Sequence, residues 1–435
     1  MHIKGRIISV LMEFEDGKYS NLLLNDYFRE HGHELTRGEK AFITEVFYGV
    51  IRNLIFLDYQ IDKRSKKVHR RWLRNMLRLS MYQAYFMDSD EAGIAWEATE
   101  LSNEKLGTYV GGFVNGILRT FFREMDDEEA FLRENDALDI YYSYPRWFYE
   151  KVMEEYGENG EEVLKSYKKI PSMSVRVNKL KYSEEEFEKF LEEKDIKIIK
   201  YIEGGVYYIN SGSLIETPEF KEGKVVPQDG SSFLAASILG AKSGDTVLDT
   251  CSAPGTKSMV LADTMENEGH ITALDIHNHK VRLIRRSAKR MAVRIVEPVK
   301  LDARNVDELG KTFDKILVDA PCSGYGVIRK KPEVLYNKDM DNVEELSALQ
   351  HDILTAASKV LKVGGEMVYS TCTIFREENT GNAKKFLEEN SNFEVVSIEL
   401  PENVSGKFDE LGGFNIDYTE ENLDGFYIIK LRKLS

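Results

Sequence analysis

FDKILVDAPCSG, Phe313–Gly324, decides how this chain is read. Its first half is short, apolar and bounded by charge, which is the pattern of a buried strand. Its second half, a proline, a cysteine, a serine and a glycine, cannot continue that strand and must be a loop. The chain has only three cysteines, and one of them sits at this strand end.

Four more segments repeat the pattern. DTVLDT, HITALDI, EPVKLD and GEMVYSTC are short, apolar and rich in β-formers, with helical segments such as HKVRLIRRSAKRMA and ELSALQHDILTAASKVLK between most of them. That alternation predicts a doubly wound parallel sheet over residues 236–435. Ligands of such sheets lie beyond the carboxyl ends of the strands. Cys251, Cys322 and Cys372 all fall at such ends. The fourth and fifth strands are expected to be neighbours, so Cys322 and Cys372 should face one cleft.

The first strand runs into Cys251, Ser252, Ala253, Pro254, Gly255, Thr256 and Lys257 and then a helix, a small-residue loop suited to close approach of a cofactor. The second strand ends in Asp275, placed to accept hydrogen bonds from ribose hydroxyls, and the third in Asp302, beside the expected adenine. On these residues alone both S-adenosylmethionine and NAD remain open. His277 and His279 form an HxH pair with no third ligand in view, so no metal is expected.

Upstream the texture changes. Residues 1–140 carry helical periodicity, as in AFITEVFYGVIRNLIFLDYQID, where Phe42, Val46, Phe47 and Val50 share a face, and predict an all-helical domain. Residues 141–235 mix strand-like SMSVRVNKLK and GVYYIN with the charged helix SEEEFEKFLEEKD, predicting a small α+β module. The whole is 435 residues, 42% hydrophobic, with a formal net charge of −15. No apolar run approaches the roughly 18 residues of a membrane span. With few cysteines and no export signal at the N-terminus, a cytoplasmic location is expected.

Three of these loops together carry a family resemblance. DTCSAPGTK, DAPCSGYGVIRKKPEV and STCTIFREEN, with QDGSSFLAA and GFYIIKL, resemble the signature segments of Sun/RsmB-type RNA cytosine-5 methyltransferases. The helical N-terminus more loosely resembles the NusB-like domain of the ribosomal RNA branch. The resemblance implies S-adenosylmethionine as cofactor and a cytosine of 16S ribosomal RNA as substrate. It implies Cys372 as nucleophile, Cys322 as the thiol that assists product release, and Asp319 as a hydrogen-bond partner of the cytosine edge that also borders the cofactor. It implies an RRM-like middle module and a monomer. Ser252 and Thr256 stand where the family often has alanine and glycine. Transfer RNA as substrate, or a non-catalytic RNA-binding factor, are the alternatives. Lys257 is open to the methionine carboxylate or to RNA.

An acidic chain that binds RNA needs local positive charge. Lys63, Arg64, Lys66, Lys67, Arg70, Arg71, Arg74 and Arg78 fall in one stretch without an acidic residue, and Arg329, Lys330 and Lys331 follow the Pro-Cys loop directly. A further cluster comprises Arg282, Arg285, Arg286, Lys289, Arg290 and Arg294. All three are candidate phosphate-binding tracks.

Overall fold

A computed structural model of the chain describes residues 2–337, 339–416 and 420–435. It contains two compact units, Met1–Lys168 with Lys330–Asn337, and Lys169–Arg329 with Lys338–Ser435.

The first unit is helical throughout. Helix Arg37–Arg52 starts on a capping box, in which Thr36 accepts from the Glu39 N–H and Glu39 returns the bond, satisfying donors the first turn leaves free. Its Ile43, Val46, Phe47 and Val50 are fully buried, the one-face spacing that periodicity demands. They pack with Ile7 and Leu11 of helix Ile3–Glu15 and with Met76 and Leu77 of helix Arg71–Phe86. The sequence boundary at 140/141 and the unit boundary at 168/169 differ by two helices, Arg146–Tyr156 and Gly160–Ser166, which belong to this first unit. Phe148, Val152, Val163 and Leu164 bury their apolar faces there.

The second unit begins with a four-stranded antiparallel sheet, β1 (Met173–Val177), β2 (Ile198–Ile202), β3 (Val206–Ile209) and β4 (Val225–Pro227), in the order β2-β3-β1-β4. Helix Glu184–Glu193 covers one face, where Phe187 and Leu191 meet Val175, Tyr207 and Ile209. The other face, through Val206, Tyr208 and Val226, joins the core of the larger sheet.

That sheet has nine strands among the described residues: β5 (Thr246–Asp249), β6 (His270–Asp275), β7 (Val296–Lys300), β8 (Phe313–Asp319), β9 (Leu361–Thr371), β10 (Phe393–Val396), β11 (Lys407–Phe408), β12 (Phe414–Ile416) and β13 (Phe426–Lys433). Strands β7-β6-β5-β8-β9 are parallel. β13 is antiparallel to β9, with β10 and β12 paired to it. The sheet is therefore mixed at one edge rather than wholly parallel. The chain runs β5 to β6 to β7 and then returns to β8 on the other side of β5. This reversal opens the crevice at the carboxyl ends of β5 and β8. Among the described residues no helix is long and apolar enough to cross a membrane.

One buried ion pair ties the small sheet to the larger one. Arg176 of β1, 1% exposed, reaches Asp263 of helix Thr256–Thr264 and donates to Gln228 Oε1 at 2.8 Å. Removing one partner of such a pair strands the other charge away from water and costs about 3–5 kcal/mol, whereas exchanging both for apolar groups costs little. Arg176→Ala is therefore expected to lower the stability measured by urea unfolding by about 3–5 kcal/mol. The paired change Arg176→Met with Asp263→Leu should recover most of it.

Candidate active site

The site grows from the ends of β5, β8 and β9. Past Asp249 the chain turns through Cys251–Thr256 and enters helix Thr256–Thr264. Gly255 caps that helix with φ +103°, in the left-handed region a side chain rarely adopts. A Cβ there would also stand 3.3 Å from Ile284, so only glycine brings the loop this close to the next helix. The Asp249 carboxylate is fully buried. Its Oδ2 accepts from Ser258 Oγ at 2.6 Å, and Ser258 Oγ lies 2.6 Å from Ser252 Oγ. Its Oδ1 has no hydrogen-bond partner. Burial pushes the Asp249 carboxyl up to about 6.

Asp275, at the end of β6, accepts from the His277 N–H at 2.8 Å, and the Lys280 ammonium stands 3.9 Å away. Asp302 caps the short 3₁₀ helix Ala303–Leu309 and is gripped by Arg304, with Nη2 at 2.7 Å from Oδ2. That guanidinium holds the Asp302 carboxyl below the usual range. This places Asp302 as a cap and ion-pair partner. His277 and His279 stack at 5.5 Å between ring centroids. Among the described residues no group of three or more His, Cys, Asp or Glu is placed to hold a metal ion.

The three cysteines divide by environment. Cys251 is a thiol whose pKa burial pushes up to about 12, which makes it inert toward electrophiles at neutral pH. Cys322 and Cys372 stand on the loops after β8 and β9 with their Sγ atoms 3.0 Å apart, and the Cys372 N–H donates to Cys322 Sγ at 3.2 Å. Both are free thiols. The hydrogen bond with Cys372, and then burial, push the Cys322 thiol well up. Of the pair, Cys322 is the thiol whose neighbours and burial hold its proton in place.

Lys257 supplies the compensating charge. Its ammonium sits 2.7 Å from Asp319 Oδ2 and 5.3 Å from the centre of the Phe426 ring. Burial pulls its pKa down, but Asp319 outweighs burial, with Cys372 adding to the rise, so Lys257 stays charged. Asp319 also accepts from Ser370 Oγ at 2.9 Å. Within the chain, the partner of Lys257 is Asp319.

Behind the thiols lies a polar network that sequence reasoning missed. Glu378, fully buried, accepts from the Ser323 N–H and from Gln350 Nε2, each at 2.8 Å, and from the Ser323 hydroxyl. Ser323 Oγ is 2.7 Å from Thr373 Oγ1, and Gln350 also donates to the Pro321 carbonyl at 2.9 Å. The loops that follow β8 and β9 are thereby stitched together one residue beyond each cysteine. Gly326 completes the seam: its N–H donates to the Cys372 carbonyl at 3.0 Å, and a Cβ there would meet Gly425 O at 2.0 Å. The sequence signal for this network lay in STCTIFREEN, which carries Glu377 and Glu378 a few residues after Cys372. Asp249 was also missed, although it is the acidic residue that closes β5.

The basic residues fare unevenly. Arg64 is paired with Glu124 at 3.0 Å, and its side chain is only 4% exposed. Lys63 pairs with Glu128, Arg71 with Glu15 and Asp16, Arg74 with Asp58 and Asp62, and Arg78 with Glu15 and Asp58. Most of that stretch is neutralised by carboxylates distant in sequence, which corrects its reading as a phosphate track; Lys66, Lys67 and Arg70 remain exposed. Arg329 is buried and donates to the carbonyls of Glu421 and Leu423, so it is a structural clamp and not an RNA contact. Lys330 is half-buried and Lys331 exposed, in the segment that belongs with the helical unit.

Comparison with known proteins supplies the lineage. Over 99% of its length and 98% of the relative's, the chain is 36% identical to the probable ribosomal RNA small subunit methyltransferase B of Bacillus subtilis. The chain belongs to that family. The model for 16S rRNA methyltransferase RsmB/F matches residues 236–432, that of the NusB family residues 3–123, and the RsmF/B-like ferredoxin-like domain residues 144–207. The family's ribosomal RNA small subunit methyltransferase B from Shewanella oneidensis is 29% identical over 92% of both chains. The crystal structure of PH0851 superposes over 100% of this chain and 99% of its own, with a TM-score of 0.82 and 29% identity.

The buried Asp249 makes stability depend on pH. Above pH 6 the native state holds a charge in a site that disfavours it, while the unfolded aspartate, at 3.8, ionises freely. The penalty is on the order of 3 kcal/mol at neutral pH and vanishes below the unfolded pKa, where both states are neutral. Asp249→Asn should therefore be more stable than wild type at pH 7, and the difference in denaturant midpoint should close as the pH falls toward 4.

Proposed function

We propose that the protein methylates carbon 5 of a cytosine in 16S ribosomal RNA, with S-adenosylmethionine as methyl donor and Cys372 as covalent nucleophile. The observation that carries this is the pair of thiols at neighbouring strand ends, Sγ atoms 3.0 Å apart, beside the Lys257–Asp319 ion pair. Carbon 5 of cytosine is a poor nucleophile, and a thiolate bonded to carbon 6 makes the ring enamine-like, so that carbon 5 can accept a methyl group.

The residues at the ends of β5 and β6 fit an adenosyl cofactor. Gly255 keeps the loop open, Asp249 Oδ1 is an unfilled buried acceptor, and the Asp275 carboxylate faces the same ends. The bound cofactor supplies an electrophilic methyl group. Everything else is done by the chain. Cys372 Sγ gives its proton to solvent and bonds carbon 6, and the carbon 5–carbon 6 electron pair shifts toward N3, which takes up a solvent proton at the edge that Asp319 orients. After methylation N3 returns its proton and solvent takes the carbon-5 proton; the C–H electrons form the carbon 5–carbon 6 double bond, and the Cys372–carbon 6 bond breaks with its electrons returning to sulfur. Cys322, 3.0 Å away and protonated, stands where it assists that departure. Lys257 offsets the negative charge on Asp319 and Cys372 in turn. The family's NusB-like domain favours ribosomal over transfer RNA as the substrate, and a monomer working in the cytoplasm is consistent with this reading.

On a denaturing gel with RNA and S-adenosylmethionine, Cys322→Ala should accumulate a covalent protein–RNA adduct and Cys372→Ala none, with methyl transfer by both reduced at least about a hundredfold. An adduct formed by Cys372→Ala and not by Cys322→Ala would reverse the two roles. Bisulfite sequencing of 16S and transfer RNA from a deletion strain decides the substrate: full conversion of one 16S cytosine in the mutant is expected, and loss confined to transfer RNA would refute the ribosomal assignment.

A further inference from the structure

The distribution of unpaired positive charge points to one surface. Helix Asn278–Met291 buries Val281, Ile284, Ala288 and Met291, spaced to form a single apolar stripe. The turns between leave Arg282, Arg285, Arg286 and Lys289 on the opposite face, all exposed, with Arg294 just beyond. The helix holds no acidic residue. Among the described residues none of these five cations makes an ion pair, whereas five of the eight cations between Lys63 and Arg78 do. In a chain of net charge −15, four neighbouring cations without a carboxylate repel one another and weaken the helix. Such a face has a physical reason only if an anion covers it.

The helix is also fixed against the cofactor loop. Ser287 Oγ donates to the Pro254 carbonyl at 3.0 Å, and Ile284 is the side chain that Gly255 admits. On its far flank Arg290 Nη1 donates to the Phe220 carbonyl at 2.9 Å, and Lys181 Nζ donates to the Arg290 carbonyl at 2.6 Å, so the small module braces the same helix. A polyanion on this face would be held at a fixed distance from the catalytic crevice. Residues at i, i+3, i+4 and i+7 follow a line along the helix, the spacing that tracks successive phosphates rather than one small anion.

We propose that the face formed by Arg282, Arg285, Arg286 and Lys289 is the surface that binds the phosphate backbone of the substrate RNA and delivers it to the cleft. The proposal rests on the reading of the protein as an RNA methyltransferase and adds where its substrate is gripped. It assigns no base readout: contacts to phosphate position the RNA and leave sequence choice to other groups.

The test replaces all four residues with glutamine in the full chain and follows a fluorescein-labelled transcript of 16S rRNA by anisotropy over a range of salt concentrations. Each lost phosphate contact removes close to one released counterion. The slope of log Kd against log salt should become shallower by about 3, and affinity at about 0.1 M salt should fall at least tenfold. The change Lys66→Gln with Lys67→Gln and Arg70→Gln should alter both far less. Calorimetric binding of S-adenosylmethionine, unchanged in the four-residue variant, shows that its cofactor site is folded. Affinity and slope equal to wild type would overturn the proposal while leaving the enzyme reading intact. Methylation of small-subunit particles lost with naked-RNA affinity unchanged would also overturn it, since the face would then meet a protein. Wild-type protein that binds no RNA at any salt would overturn the underlying reading and this one with it.

Discussion

The parallel register of β8 against β9 is the constraint on which the site depends. Asp319 pairs with Ser370 at the ends of these strands. Cys322 follows Asp319 by three residues and Cys372 follows Ser370 by two, so the register alone brings two thiols, distant in sequence, to one place. A slip of one residue would turn alternate side chains to the other face of the sheet. It would separate Asp319 from the Ser370 hydroxyl and the cysteines from each other. The register is held from both sides. Ile316, Leu317 and Val318 of β8 and Met367, Val368 and Tyr369 of β9 are all fully buried, and β13 closes the outer edge of β9.

Given that register, the electrostatics follow from burial. Several ionisable groups converge in a region with little water, where an unpaired charge is expensive. Asp319 and Lys257 pair. Asp249 finds a hydroxyl donor and no cation in contact, so its affinity for a proton rises. Glu378 is buried as well, with its carboxyl pushed up by burial, and three donors limit that rise. Cys322 lies near Glu378 and against Cys372, two neighbours that both oppose a thiolate. Two thiols 3.0 Å apart cannot share two negative charges. The surroundings of Cys322 oppose its ionisation, so the two thiols are not electrostatically equivalent.

The catalytic strands were legible in the sequence because each is a short apolar run that ends in a loop former, and this is the local signal that survives without an alignment. The cysteine pair was legible for the same reason, since strand order in a doubly wound sheet makes the fourth and fifth strands neighbours. The antiparallel edge was less so: GFYIIKL reads as a strand, but nothing in it states the direction in which it pairs. The unit boundary near Lys168 was hidden because helices Arg146–Tyr156 and Gly160–Ser166 lie between two textures and belong by packing to the first. The basic stretch misled for a plainer reason. Arg74 and Arg78 are neutralised by Asp58, Asp62 and Glu15, and Arg64 by Glu124, partners brought in by tertiary packing that no window of sequence reveals.

The same contrast explains why a buried guanidinium and an exposed one carry different meanings in this chain. Arg78, Arg176 and Arg329 are each turned inward and meet carboxylates or carbonyls that take up most of their donors. Their positive charge is spent within the fold and projects little field outside. Arg282, Arg285, Arg286 and Lys289 of helix Asn278–Met291 make no such ion pairs among the described residues, and the Debye length of about 8 Å at physiological salt lets their field reach a ligand at the surface. Net charge is thus a poor guide to what an acidic protein binds. Carboxylates are drawn to arginines during folding wherever packing allows it, and the cations left over mark the places where packing did not. In this chain the clearest such place stands directly against the loop that ends β5.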